Sequence, residues 1–362
     1  MTIKDIVLFI ARSLGIFALI RHTRLRGFRT LCYHGISPSG TDESKFRCKV
    51  FTNTETFARR LNWLARKDYQ VLDLSRALEL MARRKLPRRA AVITFDEGFY
   101  SFYQIAFGLL REQLFPATVF VTSYYATKEN PIFRLAVQYM LWKTARTHFD
   151  LVEVDAHLSG EYHCRNEQDK DDVAWEIFRY AETQLDEEQR VDLSRRLGAY
   201  LNVDYDQIVR RRFLHLMTLQ QIREMHEAGV DIQLHTHRHQ FPLKEERAKR
   251  EVIDNRAALA DVVSRPMVHL AYPSGLWSEQ SFAWLKSVGV QSAMTCEMGM
   301  NTLDTPRLAM RRFIDSENIS QLEFEAEMSG VADLLREWRS KVKQWLGRPE
   351  ETMADVRSQV VE

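Results

Sequence analysis

Residues 90–98 read AAVITFDEG. Six apolar or small residues in a row, including β-branched Val92, Ile93 and Thr94, are too few for a buried helix. They suit a strand covered on both faces. The run stops at Asp96-Glu97-Gly98, which leaves two carboxylates at the strand's carboxyl end. Residues 99–114 have helical spacing, and beyond Pro116 a second apolar run, ATVFVT at 117–122, repeats the strand signal. Strand, crossover helix and strand in succession specify a parallel sheet.

The same alternation extends in both directions. Toward the N-terminus, 30–33 is a strand ending in His34-Gly35-Ile36, and 53–67 is a helix with Phe57, Leu61 and Leu64 at helical spacing. Val71-Leu72 is a short strand and 75–84 a helix. Toward the C-terminus the alternation pauses. Residues 128–215 are rich in charge and helical spacing, with 151–154 the only strand candidate, and read as a largely helical insertion. His148, His157, His163 and His215 lie there at no metal-like spacing.

The pattern resumes at Thr218, where TLQQ forms a capping box for a helix that closes at Gly229. Strand 230–234 leads into His235-Thr236-His237-Arg238-His239, followed by a helix over 244–263. Strand 267–271 ends at Tyr272-Pro273-Ser274-Gly275, followed by a helix over 279–288. Strands near 292–295 and 311–314 complete the set. The expected organisation is an N-terminal apolar and basic helix (1–27), an α/β barrel (28–127 and 216–325), the helical insertion (128–215), and a C-terminal amphipathic helix and tail (326–362).

Lys+Arg number 51 and Asp+Glu 49, a balance of +2 that gives no support to nucleic-acid binding. The four cysteines show no CxxC spacing, which argues against a disulfide scaffold or a cysteine zinc site. The N-terminal runs IVLFIA (6–11) and LGIFALI (14–20) are interrupted by Arg12 and Ser13 and fall short of the roughly 20 apolar residues of a membrane span. Arg21, Arg24, Arg26 and Arg29 follow. Two readings stand: a helix lying on an anionic lipid surface, or one docked on the protein's own core. The expected location is cytoplasmic and peripheral on the inner membrane face, with export the alternative.

Polar clusters at the ends of apolar strands mark a site in parallel α/β folds. Here there are four: His34, Asp96-Glu97, His235 with His239, and 272–275. Two histidines four apart face one cation if the chain turns helically after the strand. With one carboxylate they make a His₂–carboxylate set with open positions, as in hydrolytic metal sites. A neighbouring carboxylate then serves as base for bound water.

TFDEG (94–98), HTHRH (235–239) and YPSG (272–275) resemble the motifs of the NodB-homology polysaccharide deacetylases, carbohydrate esterase family 4. YHGI (33–36) resembles the subgroup that includes biofilm poly-N-acetylglucosamine deacetylases. The resemblance implies a distorted (β/α)₇ TIM-like barrel, with Asp96 as catalytic base and Glu97, His235 and His239 as metal ligands. It implies backbone near Ser274 as oxyanion donor and His34 as the group that protonates the leaving amine. Glu97 stands where the family usually has Asp. Ala271 and Ser274 replace an arginine and a tyrosine of the usual proline motif, so the partner that orients Asp96 is sought in Arg311 or Arg312. Tyr272, Gly275 and Trp277 join the substrate-side candidates, the two aromatics as faces for a sugar ring.

The expected function is a metal-dependent deacetylase acting on the N-acetyl group of an amino sugar in a polysaccharide or lipid-linked saccharide. The cation is zinc first, with cobalt, nickel or manganese as alternatives. An amidohydrolase of small non-peptide C–N substrates and a catalytically degenerate saccharide-binding barrel are the other readings.

Overall fold

Phe28–Tyr33 (β1) is buried at every position, and each of its residues pairs in parallel with Ala90–Phe95, itself buried throughout. A strand with no exposed face needs cover on both sides, and the crossover helices provide it. The computed structural model describes residues 3–345, apart from 24–26, 47–49 and 129. Arg24, Arg26 and the tail beyond 345 therefore lie outside the described residues.

Eight parallel strands form the main sheet. After β1 come Gln70–Val71 (β2), Ala90–Phe95 (β3), Thr118–Val121 (β4), Asp231–Leu234 (β5), His269–Ala271 (β6), Ser292–Met294 (β7) and Phe313–Ile314 (β8). Their order is β7-β6-β5-β4-β3-β1-β8, with β2 beside β3. β2 takes the first half of one β3 edge (Ala90, Ala91) and β4 the second half (Thr94, Phe95). The stretch 310–314 closes the curl. Met310 bridges Met294 in parallel, and three residues later β8 pairs with β1. This is the distorted (β/α)₇ barrel, with Leu31, Ile93, Val119, Ile232 and Leu270 in one continuous core.

The helices follow the apolar periodicity. Thr54–Arg66 buries Phe57, Leu61 and Leu64 against the sheet. Leu219–Glu227 begins with the expected capping box, Thr218 accepting from the Gln221 N–H. The helix after β3 departs from regularity. Phe102–Ala106 is a π-turn before the α-helix Phe107–Glu112, a local widening that recurs beside functional sites.

Within 128–215, helices Phe133–Lys143, Glu167–Gln184, Glu187–Leu201 and Tyr205–Arg211 form a second core, to which Phe46, Phe51 and Phe99 contribute from outside the insertion. The strand expected at 151–154 is instead a 3₁₀ turn at Leu151–Glu153. A two-stranded antiparallel ribbon lies either side of it, His148–Asp150 with Glu161–His163. The Asp150 side chain accepts from the Val152 N–H and closes the turn, which local apolarity alone does not reveal.

The N-terminal helices Ile3–Ser13 and Ile16–Thr23 dock one face on the C-terminal helices Gln321–Ser329 and Val331–Trp345. Leu8 and Phe17 pack on Ala326 and Val331, and Arg12 pairs with Glu325 at 3.1 Å.

Under the site, Asp315 is fully buried after β8. It accepts from Arg60 Nε (3.1 Å) and from the Tyr33 hydroxyl (2.9 Å), so three side chains from β1, the first barrel helix and the β8 end are locked together. Removing one member of a buried pair leaves the other charge stranded. Asp315→Ala should therefore destabilise the fold by about 3–5 kcal/mol in urea unfolding, and Asp315→Leu combined with Arg60→Met should recover much of that loss.

Candidate active site

The site is built from chain that has just left a strand. The Asp96 N–H continues the ladder by donating to Tyr33 C=O at 2.9 Å. Then Glu97 (φ 61°) and Gly98 (φ 85°) both turn left-handed, and the Gly98 N–H folds back to the Asp96 C=O at 2.8 Å. Successive side chains on a strand point to opposite faces. The left-handed turn removes that alternation, so Asp96 and Glu97 both project into the mouth. Gly98 suits its place because a side chain there would meet Val121 at 3.2 Å. Glu97 holds a conformation that costs a non-glycine residue roughly 1–3 kcal/mol, a strain typical of functional segments.

His235 follows β5 and is buried. Its Nδ1 lies 2.8 Å from the Ala271 carbonyl, a contact that requires Nδ1–H and leaves the Nε2 lone pair facing the mouth. Asn255 braces it from the helix Glu245–Leu259. The Asn255 Oδ1 accepts the His235 N–H (3.0 Å), and Nδ2 donates to Val121 C=O and Ser123 Oγ. The helical turn expected between His235 and His239 is absent. A bend with left-handed Thr236 and His239 brings the rings together instead, their centroids 5.0 Å apart. The short backbone reversal does what a helical i,i+4 spacing would have done.

Glu97 Oε1 lies 3.3 Å from His239 Nε2 and 3.8 Å from His235 Nε2. The donor atoms of all three residues fall within 4.8 Å of one another. Glu97 Oε2 and His239 Nε2 are buried without a hydrogen-bond partner. Two imidazoles and a carboxylate, with buried lone pairs that no protein donor meets, fit a divalent cation of the zinc class. Glu97 is one methylene longer than the usual Asp, yet its oxygen reaches both histidines.

Asp96 is 3% exposed. Burial by itself would raise its carboxyl pKa, but the Arg312 guanidinium, helped by His235 and His34, outweighs burial and holds it below the usual range. Arg312 Nη1 donates to Asp96 Oδ1 at 2.6 Å, and its Nε donates to Thr295 C=O at 2.9 Å. Of the two arginines considered as orienting partners, Arg312 meets Asp96. Arg311 is exposed on the outside of the seam, against Gly299. Neighbouring residues on an extended segment face opposite ways, so only one of the two can point inward. Glu97 is likewise held well below its usual pKa. Burial opposes this, and His34, His235 and His239 override it. The two carboxylates raise the pKa of His235 despite its burial. A potential that draws a proton also draws a cation.

His34 follows β1. One of its ring nitrogens, a carboxylate oxygen of Asp96 and Cys32 Sγ lie within 4.8 Å of one another, and His34 Nδ1 is buried without a partner. In 272–275, the Gly275 N–H is used by Tyr272 C=O (3.0 Å) and the Leu276 N–H by Pro273 C=O (3.2 Å). Ser274, exposed and left-handed, holds the N–H that these turn bonds leave over. Tyr272 is fully buried, its hydroxyl donating to Leu308 C=O, so it packs the core and offers no face to a sugar. Trp277 is half-buried, stacked on Phe282 with its Nε1 donating to Glu297.

Asp315 and Asn255 belong to none of the sequence motifs, yet each leaves a signal. Asp315 stands at the carboxyl end of a strand and obeys the same rule as Asp96. Asn255 is a polar residue on the apolar face of a helix.

Residues 199–293 match the family model described as polysaccharide deacetylase. That stretch, about a quarter of the chain, is similar in sequence to polysaccharide deacetylases. The matched residues include His235, His239 and 272–275, while Asp96 and Glu97 lie outside them, on the other side of the insertion. Over 92 residues the chain is 30% identical to the poly-β-1,6-N-acetyl-D-glucosamine N-deacetylase of Escherichia coli K12. That is 25% of this chain, and it spans 13% of that relative's length. Among solved structures, the Streptococcus pyogenes deacetylase PplD in complex with acetate superposes with a TM-score of 0.55 at 16% identity, covering 83% of this chain and 98% of that one. IcaB from Ammonifex degensii gives 0.53 at 17% identity, covering 84% and 97%. These two likenesses establish a shared barrel.

The double change His235→Ala with His239→Ala should abolish uptake of divalent cation while the far-UV spectrum stays that of the native barrel. Metal content after gel filtration checks this, and a full equivalent retained by the double variant would refute the ligand set.

Proposed function

We propose that this protein is a metal-dependent deacetylase that removes the N-acetyl group from an amino sugar within a polysaccharide or a lipid-linked saccharide. One observation carries the reading. A buried carboxylate kept ionised by Arg312 stands beside a separate His₂–carboxylate set, so the base and the cation ligands are different groups. A cation held by Glu97, His235 and His239, with zinc the best match and cobalt, nickel or manganese acceptable to the same donors, would supply a Lewis acid for the acetamide carbonyl and its attacking water.

The chain's own residues account for the rest. Asp96, ionised and oriented by Arg312, accepts the proton of the attacking water. The Ser274 N–H donates to the oxygen that gains charge as the carbonyl carbon becomes tetrahedral. Arg312 is a positioning residue in this scheme. It touches Asp96 and is closed off from the mouth. His34, beside Asp96 and Glu97, delivers a proton to the departing amine, and the products are acetate and a free amino sugar. The 30% identity to a poly-N-acetylglucosamine deacetylase supports this substrate class.

Asp96→Asn keeps the shape but cannot accept a proton. It should lower acetate release from N-acetylglucosamine oligomers by about 10²–10⁴-fold while leaving cation content unchanged. Near-normal acetate release would remove Asp96 from the reaction. Absence of release by the intact, metal-loaded protein on oligomers and small amides alike would favour a binding barrel.

A further inference from the structure

The N-terminal helix pair uses only one of its faces. Leu8 and Phe17 dock on the C-terminal helices, whereas Ile6, Phe9, Ile10, Leu14 and Leu19 are exposed at 42, 56, 51, 73 and 62%. A contiguous apolar face of this extent marks an interaction surface. The tail helix Val331–Trp345 adds to it. Its Leu335 packs against the cluster that holds Leu8 and Phe17, and the same helical face continues to Trp338 and Trp345, which are 63 and 85% exposed.

We infer that this face docks on an anionic phospholipid bilayer, with the two N-terminal helices and the end of the tail helix lying in the headgroup zone. Three features select lipid as the occupant. The N-terminal helices have 11 and 8 residues and meet at a bend of 75°. No single helix among the described residues is long and apolar enough to cross a membrane; the two together have the length and composition, but the 75° bend and the docking of Leu8 and Phe17 on the C-terminal helices favour a surface. The charge at its margins is positive. On the tail helix Asp333 and Arg336 engage each other, which leaves Arg339 and Lys341 exposed against Glu337, and Arg21 stands in the last turn of the N-terminal pair. In a chain whose total is +2, that bias is local, and a second copy of the same face would bring like charges together. The exposed aromatics of the tail helix are both tryptophan, which favours the interface between hydrocarbon and water.

This inference does not depend on the deacetylase reading, because its readout involves no turnover. The full chain should co-sediment with mixed phosphatidylcholine–phosphatidylglycerol vesicles, with a blue shift in tryptophan emission, and should bind less to phosphatidylcholine alone or at high salt. Phe9→Glu, Leu14→Glu and Leu19→Glu together lie on the undocked face and should reduce partitioning by about tenfold or more, with the far-UV spectrum and cation content unchanged. Trp338→Ser with Trp345→Ser, which alters the other helix, should weaken binding in the same sense. Equal sedimentation of wild type and both variants, or none by the wild type, would overturn the inference. A concentration-dependent dimer that the triple variant dissolves, without vesicle binding, would assign the face to a second copy and overturn it too.

Discussion

A guanidinium with no exposed surface meets a carboxylate across the seam of the barrel. Arg312 belongs to the stretch 310–314 that closes the curl between β7 and β1, and Asp96 belongs to the end of β3, β1's other neighbour. Their contact at 2.6 Å therefore depends on closure being correct to a fraction of an ångström. Burying two ions costs several kcal/mol each before their attraction offsets it, so such a pair contributes little net stability. What it does provide is a fixed charge state and a fixed direction for one carboxylate. Thr295 C=O on Arg312 Nε and the Cys32 thiol 3.6 Å from Asp96 complete that setting.

The rest of the mouth is organised around keeping its groups distinct. The backbone reverses at Glu97, Thr236, His239 and Ser274, all non-glycine residues with positive φ. Thr236 is the most telling, since a β-branched residue adopts that region only under constraint. Each reversal turns a side chain or an N–H inward that a regular strand or helix would have sent elsewhere. The energy for this strain comes from the surroundings: the Asn255 bridge between β4 and β5, the buried Arg60–Asp315–Tyr33 network, and the apolar core beneath. The His₂–carboxylate set and the Ser274 N–H thus rest on backbone conformations that local propensity opposes.

Much of this was legible in the sequence. The run 90–95, its repeat at 117–122 and the capping box at Thr218 fixed strand and helix identities, because burial on two faces and helix capping both leave local signatures. The residues gathered at the mouth, His34, Asp96, Glu97, His235 and His239, were legible for a related reason. Each directly follows, or lies within five residues of, the end of an apolar run, and parallel strands deliver such ends to one face. The ribbon around 151–153 was not legible, because it is held by a side-chain turn and a cross-strand partner eleven or more residues away.

The choice between Arg311 and Arg312 shows where sequence reading stops. Both are adjacent cations near a strand, and nothing local separates them. The phase of the closing segment does, since it sends one inward to Asp96 and the other outward to solvent. Tyr272 is the complementary case. Its ring has the right chemistry for a sugar face, yet the path of the chain into Pro273 buries it against Phe241. Residue type and order along the chain therefore determined the barrel, the donor set and the reaction class it suits. Which side of the backbone each neighbour faces, and hence which arginine meets Asp96 and which aromatic is core, was decided only when the sheet closed. That direction depends on contacts between segments more than two hundred residues apart, such as 96 and 312.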